Sequence, residues 1–164
     1  ADRALIMEKG TLVFSGVDKS SSVSTDLHIQ ETAGFAGTFT VEFFGMDGNP
    51  IPPVRNESIE AFGYAALQDA APAGAYAARI RNTSASSRLA GYATVIDSKT
   101  RDRWTTTDSR SKGSASEWFL PMPSESLEVF VTNTSPGPVD VTFSDSGRLG
   151  MLRWPEPGLK LNFA

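Results

Sequence analysis

Apolar residues in this chain recur on every second position, in short runs broken by polar turns. In residues 25–30, Leu27 and Ile29 alternate with Asp26, His28 and Gln30, which predicts a strand with one buried and one wet face. In residues 38–44 (TFTVEFF), Phe39, Val41 and Phe43 share one side, opposite Thr38, Thr40 and Glu42. Residues 11–17, 58–64, 75–81 and 89–97 read as further strands. The last of these, LAGYATVID, is apolar enough for a central position. Short strands are also predicted at 117–120, 127–132, 139–143, 150–154 and 159–163, between Pro, Gly and Ser turns.

Three stretches interrupt the pattern. Residues 65–74 are Ala-rich and have room for one short helical turn, which Pro72 limits. The polar segment 82–88 lies between strands 75–81 and 89–97, and together they predict a long hairpin. Residues 98–116 (SKTRDRWTTTDSRSKGSAS) are the least hydrophobic and read as a long loop or a strand-and-loop unit. The sum is an all-β chain: an antiparallel β-sandwich of about ten or more short strands, immunoglobulin- or jelly-roll-like, with at most one helical turn.

Residues 25–48 and 126–147 repeat one pattern: strand, Thr-containing break, strand, Asp/Gly turn. Thr32 aligned on Thr134 places Leu27 on Val129, Ile29 on Val131 and Phe39 on Val141. Neither half alone holds a sufficient core, so residues 1–164 are expected to form a single domain. Ser, Thr, Ala, Gly and Pro are abundant and Lys is scarce, which suits a turn-rich β-protein. The net charge of −4 gives no footprint for nucleic acid. Cysteine is absent, which removes disulfides, thiol nucleophiles and thiolate metal sites. No apolar run is long enough to span a membrane. The start at Ala1-Asp2 fits a mature form left by small-residue cleavage, so export is expected.

The segments TDLHIQETAGFAGTFTVEFFGMDGNPI, AFGYAALQDA, YAARIRN and RLAGYATVIDSKTRD, from Asp26 to about Trp104, resemble the β-sandwich repeats of large secreted bacterial surface proteins. In those repeats a strand ends near an Asn/Thr bend, a second leads to an Asp-Gly turn, and a later one ends in V-D-x-x-T-x-D. That last element is Val95–Asp102 here, and Val131-Thr132-Asn133-Thr134 resembles the opening of a following repeat. At its first bend this chain carries Gln30-Glu31-Thr32 in place of Asn-Thr. The resemblance implies an extracellular, non-catalytic structural or adhesive module, on the cell surface or secreted.

Candidate chemistry is sparse. His28 is the one histidine; any Ser–His–acid triad would need it, no G-x-S-x-G elbow accompanies it, and it reads as an exposed strand residue. Asp97 and Asp102 bracket a basic bend and are the candidate calcium ligands, although Asp in a turn most often bonds its own backbone. Trp104, with Lys99, Arg101, Arg103 and Arg110 close in sequence, is the candidate ligand surface, because Trp beside hydrogen-bonding side chains stacks sugar rings. Its plainer role is to cap the core beneath a solvated loop. Asn56, Asn82 and Asn133 head N-glycosylation patterns.

The sequence thus predicts a non-enzymatic structural or adhesive module whose edge strands and apolar terminal segments are available for self-association, the plainer role of those terminal segments being to complete the chain's own sheet. A carbohydrate-binding module built on Trp104 is the alternative, and a carboxylate-based hydrolase ranks third.

Overall fold

A computed structural model describes residues 10–107 throughout and, farther along, the backbone of four strands between residues 127 and 163. The first eight strands are β1 (Thr11–Ser15), β2 (Val23–Glu31), β3 (Gly37–Phe44), β4 (Pro50–Ile59), β5 (Tyr64–Leu67), β6 (Ala77–Asn82), β7 (Leu89–Asp97) and β8 (Arg103–Thr107). They form two antiparallel four-stranded sheets, ordered β1-β6-β3-β4 and β5-β2-β7-β8. The described residues contain no helix. Farther on, β9 (Leu127–Thr132) pairs with β12 (Gly158–Phe163), and β10 (Val139–Asp145) with β11 (Arg148–Trp154). The strand expected at 117–120 lies outside the described residues.

The period-two pattern becomes the core. Phe39, Val41 and Phe43 from β3, Leu12 and Phe14 from β1, and Ala78 and Ile80 from β6 face Leu27 and Ile29 from β2 and Leu89 and Ala93 from β7. All of them belong to one buried cluster, so the two sheets stack face to face in a sandwich-like arrangement. Gly91 occupies a core-facing position of β7. A Cβ there would lie 2.7 Å from the His28 carbonyl oxygen and 2.8 Å from Ile29 Cδ1, so the close fit of β7 against β2 and the facing sheet requires its bare backbone.

Several expectations change. The strand expected at 58–64 starts earlier, as β4 from Pro50, and Pro52 and Pro53 lie inside this edge strand, where missing N–H groups cost no interior ladder bond. Residues 60–63, expected in a strand, make a turn closed by the Gly63 N–H to the Glu60 carbonyl. Ala65 and Leu67, in the Ala-rich stretch, form strand β5 instead of a helical turn. They pack on the core while Tyr64 and Ala66 point outward, so burial of alternate positions overrides alanine's helix preference.

Strands β6 and β7 are not a hairpin, because they belong to different sheets. The loop between them crosses the sandwich on a buried polar knot: Asn82 Nδ2 donates to the Ser87 carbonyl, and Ser87 Oγ to Asn82 Oδ1. Asn82 is therefore closed to glycosylation. The two similar segments share a further property. Strands β2 and β3 lie in separate sheets, and β9 and β10 each pair with a different partner.

Candidate functional site

The outer faces of the two sheets differ in chemistry. On β1-β6-β3-β4, Glu42 of β3 lies opposite Arg79 of β6 and accepts from its Nε at 2.6 Å, with Arg81 at 3.9 Å. The Arg79 guanidinium also sits 4.6 Å over the Phe44 ring. This is a solvated, charge-paired face.

The outer face of β5-β2-β7-β8 is aromatic. Strand pairing puts His28 of β2 directly opposite Tyr92 of β7, and Gln30 opposite Tyr64 of β5. The His28 and Tyr92 rings stack at a centroid distance of 4.5 Å and an interplanar angle of 20°. Tyr64 reaches diagonally from its own strand, its ring 6.0 Å from His28 at 18°. Three rings thus stand side by side across three strands, as cross-strand neighbours on one face can. Beside them is an open depression of about 580 Å³ lined by His28, Gln30, Tyr64, Ala90, Gly91, Tyr92 and Thr105. No carboxylate, ammonium or guanidinium is among these lining groups.

The Tyr64 hydroxyl and His28 Nδ1 share a hydrogen bond. When the phenol donates, Nε2 carries the ring proton and turns a donor outward. Partial withdrawal from water, then the Tyr92 hydroxyl and the negative charge of Asp26, push the Tyr64 phenol above its ordinary value. It therefore stays a neutral donor throughout the physiological range. The depression offers apolar ring edges, two phenols, an imidazole and a threonine hydroxyl.

The residues singled out in the sequence do not converge. Trp104 lies opposite Val95 on edge strand β8 and stays 37% exposed, and Arg103 lies opposite Ile96 on the other face. Lys99 and Arg101 belong to the β7–β8 turn, and Arg110 lies outside the described residues. Asp97 Oδ1 accepts the Lys99 N–H at 2.8 Å, and the Asp97 N–H bonds the Asp102 carbonyl at 3.0 Å, so Asp97 braces its own turn. Among the described residues, no group of three or more His, Asp or Glu side chains is placed to hold a metal ion.

A second feature was announced only by the unusual Gln30-Glu31-Thr32 bend. Glu31 is fully buried, and its carboxylate gathers three loops. Oε1 accepts the N–H of Ala33 at 2.8 Å and of Arg88 at 3.0 Å; Oε2 accepts those of Gly34 at 2.7 Å, Phe35 at 3.2 Å and Phe62 at 3.1 Å. Burial alone would raise its pKa, but the backbone donors from Arg88, Ala33, Phe62 and Gly34 outweigh it and lower the value from 4.5 to about 2. Gln30 Nε2 donates to the Phe62 and Gly63 carbonyls, and Thr32 bonds Arg88 through both its N–H and its hydroxyl.

Compared with known proteins, the chain matches no family model, no curated protein and no solved structure.

Proposed function

We propose that this chain is a non-catalytic recognition module of a secreted or surface-attached bacterial protein, and that it binds an uncharged carbohydrate on the outer face of β5-β2-β7-β8. In this reading the sandwich is immunoglobulin- or jelly-roll-like, in line with the nesting of the β3–β6 pair inside the β2–β7 pair, and residues 1–164 make a single domain.

The observation that carries the reading is the Tyr64–His28–Tyr92 stack beside a depression with no charged lining group. Sugars present apolar C–H patches between hydroxyls that both donate and accept. Ring edges serve the patches; the phenols, the imidazole and Thr105 serve the hydroxyls. An anionic or cationic ligand would find no partner in the lining, and that separates this face from the charge-paired face opposite.

The scaffold or adhesive role belongs to the same reading, because such modules hold their ligand while the parent protein anchors it. Self-association by strand addition is disfavoured at β4, where Pro52 and Pro53 donate no ladder bonds.

The test is a glycan array probed with wild type, Tyr92→Ala, Tyr64→Ala and Trp104→Ala. Retention of neutral glycans by wild type, with affinity reduced at least about tenfold in either tyrosine variant and kept in Trp104→Ala, is the expected result. Loss of binding in Trp104→Ala alone would move the site to β8 and its basic neighbours. No binding by any of the four proteins would end the carbohydrate reading.

A further inference from the structure

The amide of Gln30 has one edge fixed and one edge free. Its Nε2 lies 3.0 Å from the Glu31 carbonyl oxygen, 2.7 Å from that of Phe62 and 2.9 Å from that of Gly63. Carbonyl oxygens only accept, so the nitrogen of the amide faces all three and its two N–H groups are divided among them. A flipped amide would set oxygen against three acceptors, so the side chain is locked in one sense. Oε1 has no hydrogen-bond partner among the described residues, and Gln30 lines the depression on the aromatic face. Its neighbour directly opposite on β7 is Ala90, which carries no polar atom to satisfy that oxygen.

The other polar groups around the depression adapt to what they meet. The Tyr92 and Thr105 hydroxyls rotate between donor and acceptor, and the Tyr64–His28 bond runs in either sense with the imidazole tautomer. Among the lining side chains, Gln30 supplies the one acceptor whose sense cannot change. The same lock serves Tyr64. Phe62 and Gly63 precede it in the turn from β4; the Gly63 carbonyl also accepts the Glu31 N–H at 2.9 Å, and Glu31 Oε2 accepts the Phe62 N–H at 3.1 Å. The end of β2 therefore sets both the entry of Tyr64 into β5 and the acceptor beside it.

We infer that Gln30 is the specificity-determining residue of the aromatic face, its Oε1 accepting the proton of one sugar hydroxyl. The ligand class narrows to neutral sugars with a free hydroxyl at that point. Deoxy and ether derivatives there are rejected, because they strip water from the amide oxygen and return no donor. The inference rests on the carbohydrate reading and adds a requirement that ring contacts alone do not impose.

Calorimetry tests it with the neutral array glycan that wild type holds most tightly and with its monodeoxy and mono-O-methyl analogues. Wild type is expected to lose at least about tenfold in affinity for both analogues of one hydroxyl. Gln30→Lys keeps a donor for the Phe62 and Gly63 carbonyls and removes the acceptor. This variant is expected to bind the parent glycan at least about tenfold more weakly and to lose nothing further with those two analogues. Tyr92→Ala is expected to weaken the parent glycan and still discriminate. Circular dichroism confirms the fold of each variant. A Gln30→Lys protein that discriminates as wild type does, or a wild type that tolerates the change at every hydroxyl, overturns the inference and leaves the carbohydrate reading standing. A wild type that binds no neutral glycan removes both. Without any glycan, the Gln30 side-chain N–H protons are expected to exchange with water more slowly than those of the exposed Gln68, and equal exchange overturns the inference as well.

Discussion

A buried carboxylate normally resists ionisation, and Glu31 is held ionised by five backbone N–H groups contributed by three loops. Its folded pKa of about 2 lies below the ordinary 4.5, so its contribution to stability is complete above about pH 4.5 and disappears as pH falls through about 2. The size of that contribution is on the order of 3 kcal/mol. Chemical denaturation of wild type and Glu31→Gln across this window checks it. Wild type loses its advantage as the acid limit is approached, and an advantage independent of pH would contradict the account. The sequence marked this site only as a departure from a repeat pattern, Gln30-Glu31-Thr32 where Asn-Thr was expected. No local signal joins Glu31 to Phe62 and Arg88, because the three meet only when the loops at one end of the sandwich close together.

At the scale of the strands, alternation carried most of what could be read. Strands β2, β3 and β7 fall where Leu27/Ile29, Phe39/Val41/Phe43 and the LAGYATVID run placed them, since each buries alternate side chains against the facing sheet. Pairing was less legible. The polar stretch after β6 looked like a hairpin turn, whereas the buried Asn82–Ser87 bonds carry the chain to the other sheet. The same alternation separates Trp104 from Arg103 on β8, so neighbours in sequence do not share a face. The aromatic stack was invisible in sequence for the converse reason: Tyr64 and Tyr92 lie far from His28 along the chain, and only strand register brings them together. Gly91 tests that register. Gly91→Ala forces a Cβ against the His28 carbonyl and is expected to destabilise the protein by about 1–3 kcal/mol, read from the urea midpoint. It should also weaken ligand binding by displacing β2. An unaltered midpoint would mean that β2 and β7 pack less closely than described.

Over the whole molecule, the proposed function rests on an asymmetry of surfaces. One sheet face pairs Glu42 with Arg79 and Arg81 in solvent, the other stacks three rings beside a depression with no charged lining, and the loop end holds Phe35 and Phe62 outward on a shared buried oxygen. Each surface has a different chemistry, and Gln30, which lines the depression and donates to the Phe62 and Gly63 carbonyls, joins the aromatic face to the loop end. The most direct measurement is a titration of isotope-labelled protein with the best array glycan, followed by amide and aromatic nuclear magnetic resonance. Shifts centred on His28, Gln30, Tyr64, Ala90, Tyr92 and Thr105 are the predicted result. Shifts centred instead on the β7–β8 turn and Trp104, or on the Glu42–Arg79 face, would contradict the assignment of the binding surface.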